Sequence, residues 1–389
     1  MRIRQTISAA LLFVFLNGCG PIALTVEPPT ETITATTPPS PQPSNPNPVE
    51  TQLAWFYKPP FDENDLFMLA HEFDFFILTR GDEIERDQLL TLGAQQPILQ
   101  YLRFDTIHAL EDCEARPRRN QVAYRAGDYC AISRNHPDWF LLNREGERIY
   151  QSFEDQTYVM MDPGSPGWRA FFLERVRDSQ SDPNWGGVFL DNFEVTFAFR
   201  ELDDQIPIAY TDEARYLAAS QGMLEYLQRE YFQPNQKPLF ANIAARKDDA
   251  NWMAYITNLD GAMHEGWAVD WPNRFRPAAE WETQMVLAEK TQAAGKFIIL
   301  VSQGTQADVE LQRFAYASYL LVNNGQAAFR YGNSANYREV WFYSNYYSDL
   351  GPPLGPRYLE GVVWRRDFVR GSVMVNPETH EASIIAEKK

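Results

Sequence analysis

The chain has 389 residues, with 52 acidic side chains against 35 basic ones and a formal charge of −17. That sign argues against nucleic acid or anionic lipid as the ligand, since both are themselves negative. Aromatic residues make up 14% of the chain; most must fill a large core, and the surplus of Trp and Tyr also suits carbohydrate, whose C–H faces stack on rings.

The N-terminus carries Arg2 and Arg4, an apolar run from Ile7 to Leu16, and then Leu16-Asn17-Gly18-Cys19. A basic start followed by roughly 10 apolar residues reads as a secretion signal, too short for a stable membrane span. Glycine before the cysteine, with leucine two positions ahead of it, resembles the lipobox of bacterial lipoproteins. The resemblance implies removal of residues 1–18 and acylation of Cys19, palmitate included. That would hold the chain on the extracytoplasmic face of a membrane through lipid alone, since two or more acyl chains anchor stably where one is marginal. An ordinary signal peptide followed by an incidental cysteine is the alternative.

From Pro21 to Glu50 the sequence is rich in Pro, Thr, Ser and Asn and has no aromatic residue. It cannot bury enough apolar surface to offset its ordering entropy, so residues 19–50 are expected to form an extended tether. Of three cysteines, Cys19 is spoken for, which leaves Cys113 and Cys130 as an even pair in an oxidising compartment. A disulfide there would contribute about 3 kcal/mol by constraining the unfolded chain; two free buried thiols are the alternative. None of the five histidines stands at ligand spacing from these cysteines, so neither zinc nor any other metal or cofactor is expected.

The rest, residues 51–389, alternates short apolar runs with helical spacing. The expected strands are Leu53–Tyr57, Phe73–Thr79, Ile98–Phe104, Gly187–Asp191, Leu239–Ile243, Gly261–Glu265, Phe297–Gln303 and Ala327–Tyr331. They lack clean alternation, as parallel strands buried on both faces do. Helices are expected over Trp168–Ser179, Asp212–Tyr231 and Ala278–Ala294. No dinucleotide fingerprint or phosphate loop follows the first strand, which favours an α/β fold of the (β/α)8 TIM-barrel kind over an open sheet. An insertion after strand three, from Asp105 to Gln156, carries both remaining cysteines and is placed to shape a substrate cleft. Val362–Trp364, Ser372–Val375 and Ala382–Ala386 read as a small C-terminal antiparallel element.

In a barrel, chemistry sits where strands run into the following loops. Strand four ends on Asp191 and strand six on Glu265, each directly after an apolar run. Two converging carboxylates are what glycosidic cleavage requires: one gives a proton to the leaving oxygen, the other stabilises or attacks the anomeric carbon or activates water. Trp267 beside Glu265 would raise its pKa and suit it to the acid role. Met161-Asp162-Pro163-Gly164-Ser165-Pro166-Gly167-Trp168-Arg169, followed by Gly187 to Asn192, resembles the hypothetical glycoside hydrolase-like family 15 group. Asp260-Gly261 with Glu265, and the run from Arg366 to Pro377, fit the same group, with a more distant likeness to the endo-α-1,4-polygalactosaminidase type. The likeness covers roughly Leu53 to Ala386. It implies a barrel glycosidase with Asp191 and Glu265 as the catalytic candidates.

Other strand-end residues have two readings each. Trp55, Trp267, Trp271 and Tyr331 are candidates for stacking on sugar or for the core; Asn242 and Gln303 are placed for sugar hydroxyls or for holding loops. Arg103 is placed to orient a carboxylate or bind an acidic sugar, and Glu194 either to line the cleft beside Asp191 or to point to solvent. Asp162 reads as a helix N-cap, and His264, by alternation, faces away from the mouth. The function expected is an exported, lipid-anchored, monomeric glycoside hydrolase with a carbohydrate substrate; a non-catalytic carbohydrate-binding or scaffold lipoprotein is the alternative.

Overall fold

The structure is a computed structural model. It describes residues 51–56, 66–95, 97–153, 155–194, 206–244, 249–270, 274–333 and 335–387. The signal peptide, Cys19, the tether, Tyr57 and Trp271 lie outside these residues, as does the side chain of Glu194.

Eight parallel strands form one sheet: β1 (Ala54–Phe56), β2 (Phe75–Leu78), β3 (Ile98–Arg103), β4 (Gly187–Glu194), β5 (Leu239–Ala244), β6 (Gly261–Glu265), β7 (Phe297–Gly304) and β8 (Ala327–Asn333). Each pairs with the next in sequence. Leu53 bridges to Phe329, and the Phe329 N–H donates to Gln52 O at 2.8 Å, which joins the last strand to the first. Between the strands run α1 (Leu66–Glu72), α2 (Glu83–Thr91), α3 (Pro166–Ser179), α4 (Glu213–Leu227), α5 (Asp249–Ile256), α6 (Ala278–Ala293) and α7 (Val309–Val322). The chain is a (β/α)8 barrel, with element ends within a few residues of those expected.

Strand alternation sorts the side chains into two cores. Phe75, Leu99, Phe189, Phe240, Met263 and Val301 point inward and fill the barrel. Their neighbours, such as Phe76, Val188, Leu190 and Ala262, point outward against the helices. Burial of each large apolar side chain contributes about 1.5–3 kcal/mol. At the start of β6 the packing is so close that a Cβ on Gly261 would sit 2.2 Å from the Phe240 ring, so no larger residue fits there.

The helix after the insertion begins differently from the expectation. Ser165 caps α3, its Oγ accepting from Trp168 N–H at 3.4 Å. Asp162 lies one turn earlier and accepts from Gly164 N–H at 2.7 Å and from the Tyr210 hydroxyl. The capping assignment for Asp162 is therefore corrected: it closes the turn that leads into the helix. The insertion itself forms a three-stranded antiparallel sheet, with Gln156–Met160 between Thr106–His108 and Tyr150–Phe153. It also contains a helix, Asp128–Asn135. Cys113 and Cys130 are joined in a disulfide with Cα atoms 5.8 Å apart.

After β8 comes a 3₁₀ turn, Ser344–Tyr347, and then an antiparallel sheet of β9 (Tyr358–Glu360), β10 (Val363–Phe368), β11 (Gly371–Asn376) and β12 (Glu381–Ala386). Strand β9 was not expected; it is short, exposed and without apolar alternation. The sheet packs on α7, and two buried arginines fasten it. Arg357 makes paired hydrogen bonds to Glu282 and to Glu289 of α6, between 2.7 and 3.2 Å. Arg366 Nη1 donates to the carbonyls of Leu320, Leu321 and Asn323 at 2.7–3.2 Å, satisfying the buried C-terminal end of α7. Arg366→Ala is expected to cost on the order of 3 kcal/mol by leaving those carbonyls buried without donors. Chemical denaturation of the variant beside the parent checks this; an unchanged midpoint would show that the lock carries no load.

Candidate active site

The mouth of the barrel is built at the C-terminal ends of β3 to β7. Asp191 of β4 shares the inward face with Phe189, and Glu265 of β6 shares it with Met263. Both are partly exposed. Between them, on β5, stands Asn242. Its Nδ2 donates to Asp191 Oδ1 at 3.0 Å and to Glu265 Oε2 at 3.1 Å. Two oxygens held by one nitrogen can be no more than about 6 Å apart. The pairing of β4 with β5 shifts register between Leu190 and Phe193, and Asn192 takes φ 69°, a conformation asparagine tolerates better than most residues. This irregularity falls where Asp191 meets Asn242.

The second oxygen of Asp191 accepts from the Tyr101 hydroxyl. Tyr101 lies on β3 and stacks on Phe189 with centroids 6.1 Å apart. Burial and the adjacent Asp191 charge push its phenol well above the usual range, so it stays protonated and keeps donating. Tyr337, from the segment after β8, packs on the inner core. Its phenol is pushed up by burial and by the charges of Glu265 and Asp191, and it accepts from Gln303 Nε2. Arg330 holds that segment in place: Nη2 donates to Glu339 O at 2.8 Å while the guanidinium lies 4.4 Å from the Trp55 ring centre. Burial lowers the pKa of this arginine to about 10.

Several expected roles are corrected. Trp267 is fully buried among the helices, its Nε1 donating to Ala315 O of α7 at 3.1 Å. The chain turns away from the mouth at Gly266, with φ 79°, so Trp267 neither stacks on sugar nor desolvates Glu265. Trp55 and Tyr331 are 1% and 2% exposed and belong to the outer core; alternation sends them toward the helices while Ala54 and Ala328 face the lumen. None of the three offers an open ring. Asn242 is engaged by the two carboxylates. His264 faces outward against Trp252 and Trp267, as alternation requires. Tyr101, Tyr337 and Arg330 went unnoticed in the sequence. For Tyr101 there was a signal: it lies two residues before Arg103, on the face that ends at the mouth.

The sequence profile of hypothetical glycosyl hydrolase family 15 matches residues 98–372. The chain belongs to that family. Its barrel is similar to the glycoside hydrolase domain of PelA from Pseudomonas aeruginosa, at 14% identity over 76% of this chain and 98% of that one, with TM-score 0.48. A maltogenic α-amylase, AmyB from Thermotoga neapolitana, aligns at 8% identity over 84% and 86% of the two chains, with TM-score 0.48. An α-galactosidase from Thermus thermophilus aligns at 12% identity over 82% and 65%, with TM-score 0.43. No curated protein sequence matches this chain. Membership in the glycosyl hydrolase family makes the protein a glycoside hydrolase with a carbohydrate substrate. Among the described residues, no group of three His, Cys, Asp or Glu is arranged to hold a metal ion.

Proposed function

We propose that the protein cleaves glycosidic bonds by double displacement, with Asp191 as nucleophile and Glu265 as acid and then base, and that it works outside the cytoplasm on a lipid anchor at Cys19. One observation carries the catalytic part: a single amide, Asn242, bonds both carboxylates. Retaining glycosidases hold their carboxyl groups about 5–5.5 Å apart, whereas inverting enzymes need about 6.5–9.5 Å to admit a water. A bridge through one nitrogen favours the closer arrangement.

The two roles separate by environment. Asp191 accepts from Tyr101 at one oxygen and from Asn242 at the other, so its carboxylate is held in one orientation. That suits the group that must attack. Glu265 shares the Asn242 amide and faces Asp191 across it, where it can protonate a leaving oxygen and later activate water. The test is the configuration of the first product. Proton NMR during the first turnovers is expected to show the anomer of the substrate; the opposite anomer would rule out Asp191 as nucleophile.

The anchor rests on the sequence around Cys19. Cys19→Ala is expected to move the protein from the membrane fraction to the soluble exported fraction. Membrane partitioning unchanged by the substitution would show that Cys19 carries no anchor.

A further inference from the structure

One cation at the mouth has donors to spare. Arg103, the last residue of β3, is register partner to Asp191 on β4. Its side chain is 10% exposed. The guanidinium lies over the Tyr158 ring of the insertion, 4.2 Å from the centroid. Its nearest carboxylate oxygen, Oδ1 of Asp105, is 3.8 Å from Nε, beyond hydrogen-bond reach, and Nε is buried without a hydrogen-bond partner. Asp105 Oδ1 takes its hydrogen bonds from Thr106 and Asn192, at 3.3 and 3.4 Å. The arginine is thus oriented by stacking and charge while its planar fork of N–H groups is left unspent. A buried guanidinium normally fills that fork, because stranded donors are costly.

The surroundings have the same sign. The segment against the end of β3, reached through the Arg103 N–H to Asn120 O bond of 2.9 Å, carries Arg116, Arg118, Arg119 and Arg125, with no acidic residue between Glu114 and Asp128. Arg119 reaches the Gly81 carbonyl at 3.4 Å. Next to Gly81, the Arg80 guanidinium lies 3.5 Å from the Tyr124 ring centre, its Nε buried without a partner. Arg125 pairs with Asp178 at 3.0 Å and Arg118 lies 3.5 Å from Asp155, which leaves Arg80, Arg116 and Arg119 as the cations on this flank without an ion pair among the described residues.

We propose that Arg103 anchors a sugar carboxylate, so that the glycan cut between Asp191 and Glu265 carries uronate units. This rests on the reading of those two residues as the catalytic pair. Guanidinium and carboxylate match as two parallel N–H···O bonds, and the fork stands one strand from Asp191.

The test uses polygalacturonate, alginate and hyaluronan, each beside the neutral polymer made from it by carboxyl reduction. Binding and turnover are measured on the full mature chain. At least one of the acidic polymers is expected to bind, with affinity falling about ten- to a hundredfold on carboxyl reduction. Arg103→Met is expected to abolish that difference, and Arg103→Lys to restore part of it. Because Arg103→Met removes the cation beside the buried Asp105, the double variant with Asp105→Asn is measured beside it and is expected to show the same loss of preference. A purely structural Arg103 would weaken charged and neutral polymers alike, which would overturn the proposal. So would cleavage of neutral glycans only, or a preference for carboxylate that survives Arg103→Met. If the parent neither binds nor cuts any glycan, charged or neutral, the catalytic reading falls as well.

Discussion

Asp191→Asn is expected to abolish turnover, by roughly four orders of magnitude, while leaving the barrel folded. The amide is nearly isosteric but cannot attack the anomeric carbon. Its effect on stability should be small and local. The new carbonyl can still accept from Tyr101, but the new NH2 then meets the Asn242 NH2, two donors facing one another where donor met acceptor. That mismatch costs about 1 kcal/mol, too little to unfold the domain. Glycan affinity is expected to stay within about tenfold, since the contacts that hold the sugar remain. Initial rates and thermal melts on the same preparation check both halves. Near-parental turnover would move the chemistry away from β4.

Glu265→Gln is expected to lose about 10²–10⁴ in rate on natural glycans, whose leaving groups need a proton. An aryl glycoside with an activated phenol leaves without one, so glycosylation of Asp191 should be spared on that substrate and only the later hydrolysis slowed. The signature is a burst of phenol followed by a slow steady state. A loss of the same size on both substrates would remove Glu265 from the acid role.

The barrel could be read from the sequence because each strand is a short apolar run bounded by turns, and the two carboxylates because each ends such a run. Asp191 after Val188-Phe189-Leu190 and Glu265 after Ala262-Met263-His264 have no apolar periodicity of their own to explain them away. What surrounds them was harder to see. Tyr101 sits inside Ile98–Arg103 and reads as core, which in part it is: the ring packs inward and only the hydroxyl reaches Asp191. Tyr337 belongs to a stretch without strand or helix, brought to the mouth by Arg330 and by the inner core. Local spacing cannot report a position set by such distant contacts. Trp267 was misplaced for the opposite reason: one glycine with positive φ reverses the chain, and a strand-end aromatic becomes part of the helix layer.

The seam between β8 and β1 has a mechanical consequence. The chain enters the barrel through Thr51, Gln52 and Leu53, and each makes a bond to a side chain far along the sequence or across the sheet, beside the backbone bonds of Gln52 and Leu53. Thr51 Oγ1 is 2.7 Å from the Tyr316 hydroxyl, Gln52 N–H donates to the Tyr319 hydroxyl at 3.1 Å, and Leu53 N–H donates to Asp74 Oδ2 at 2.8 Å. Tension arriving from the N-terminal side therefore reaches these bonds before it reaches β1, which is only three residues long. Once Gln52 is pulled away, the Phe329 N–H that its carbonyl covered is exposed on β8, and the ring opens at the junction where its two ends meet.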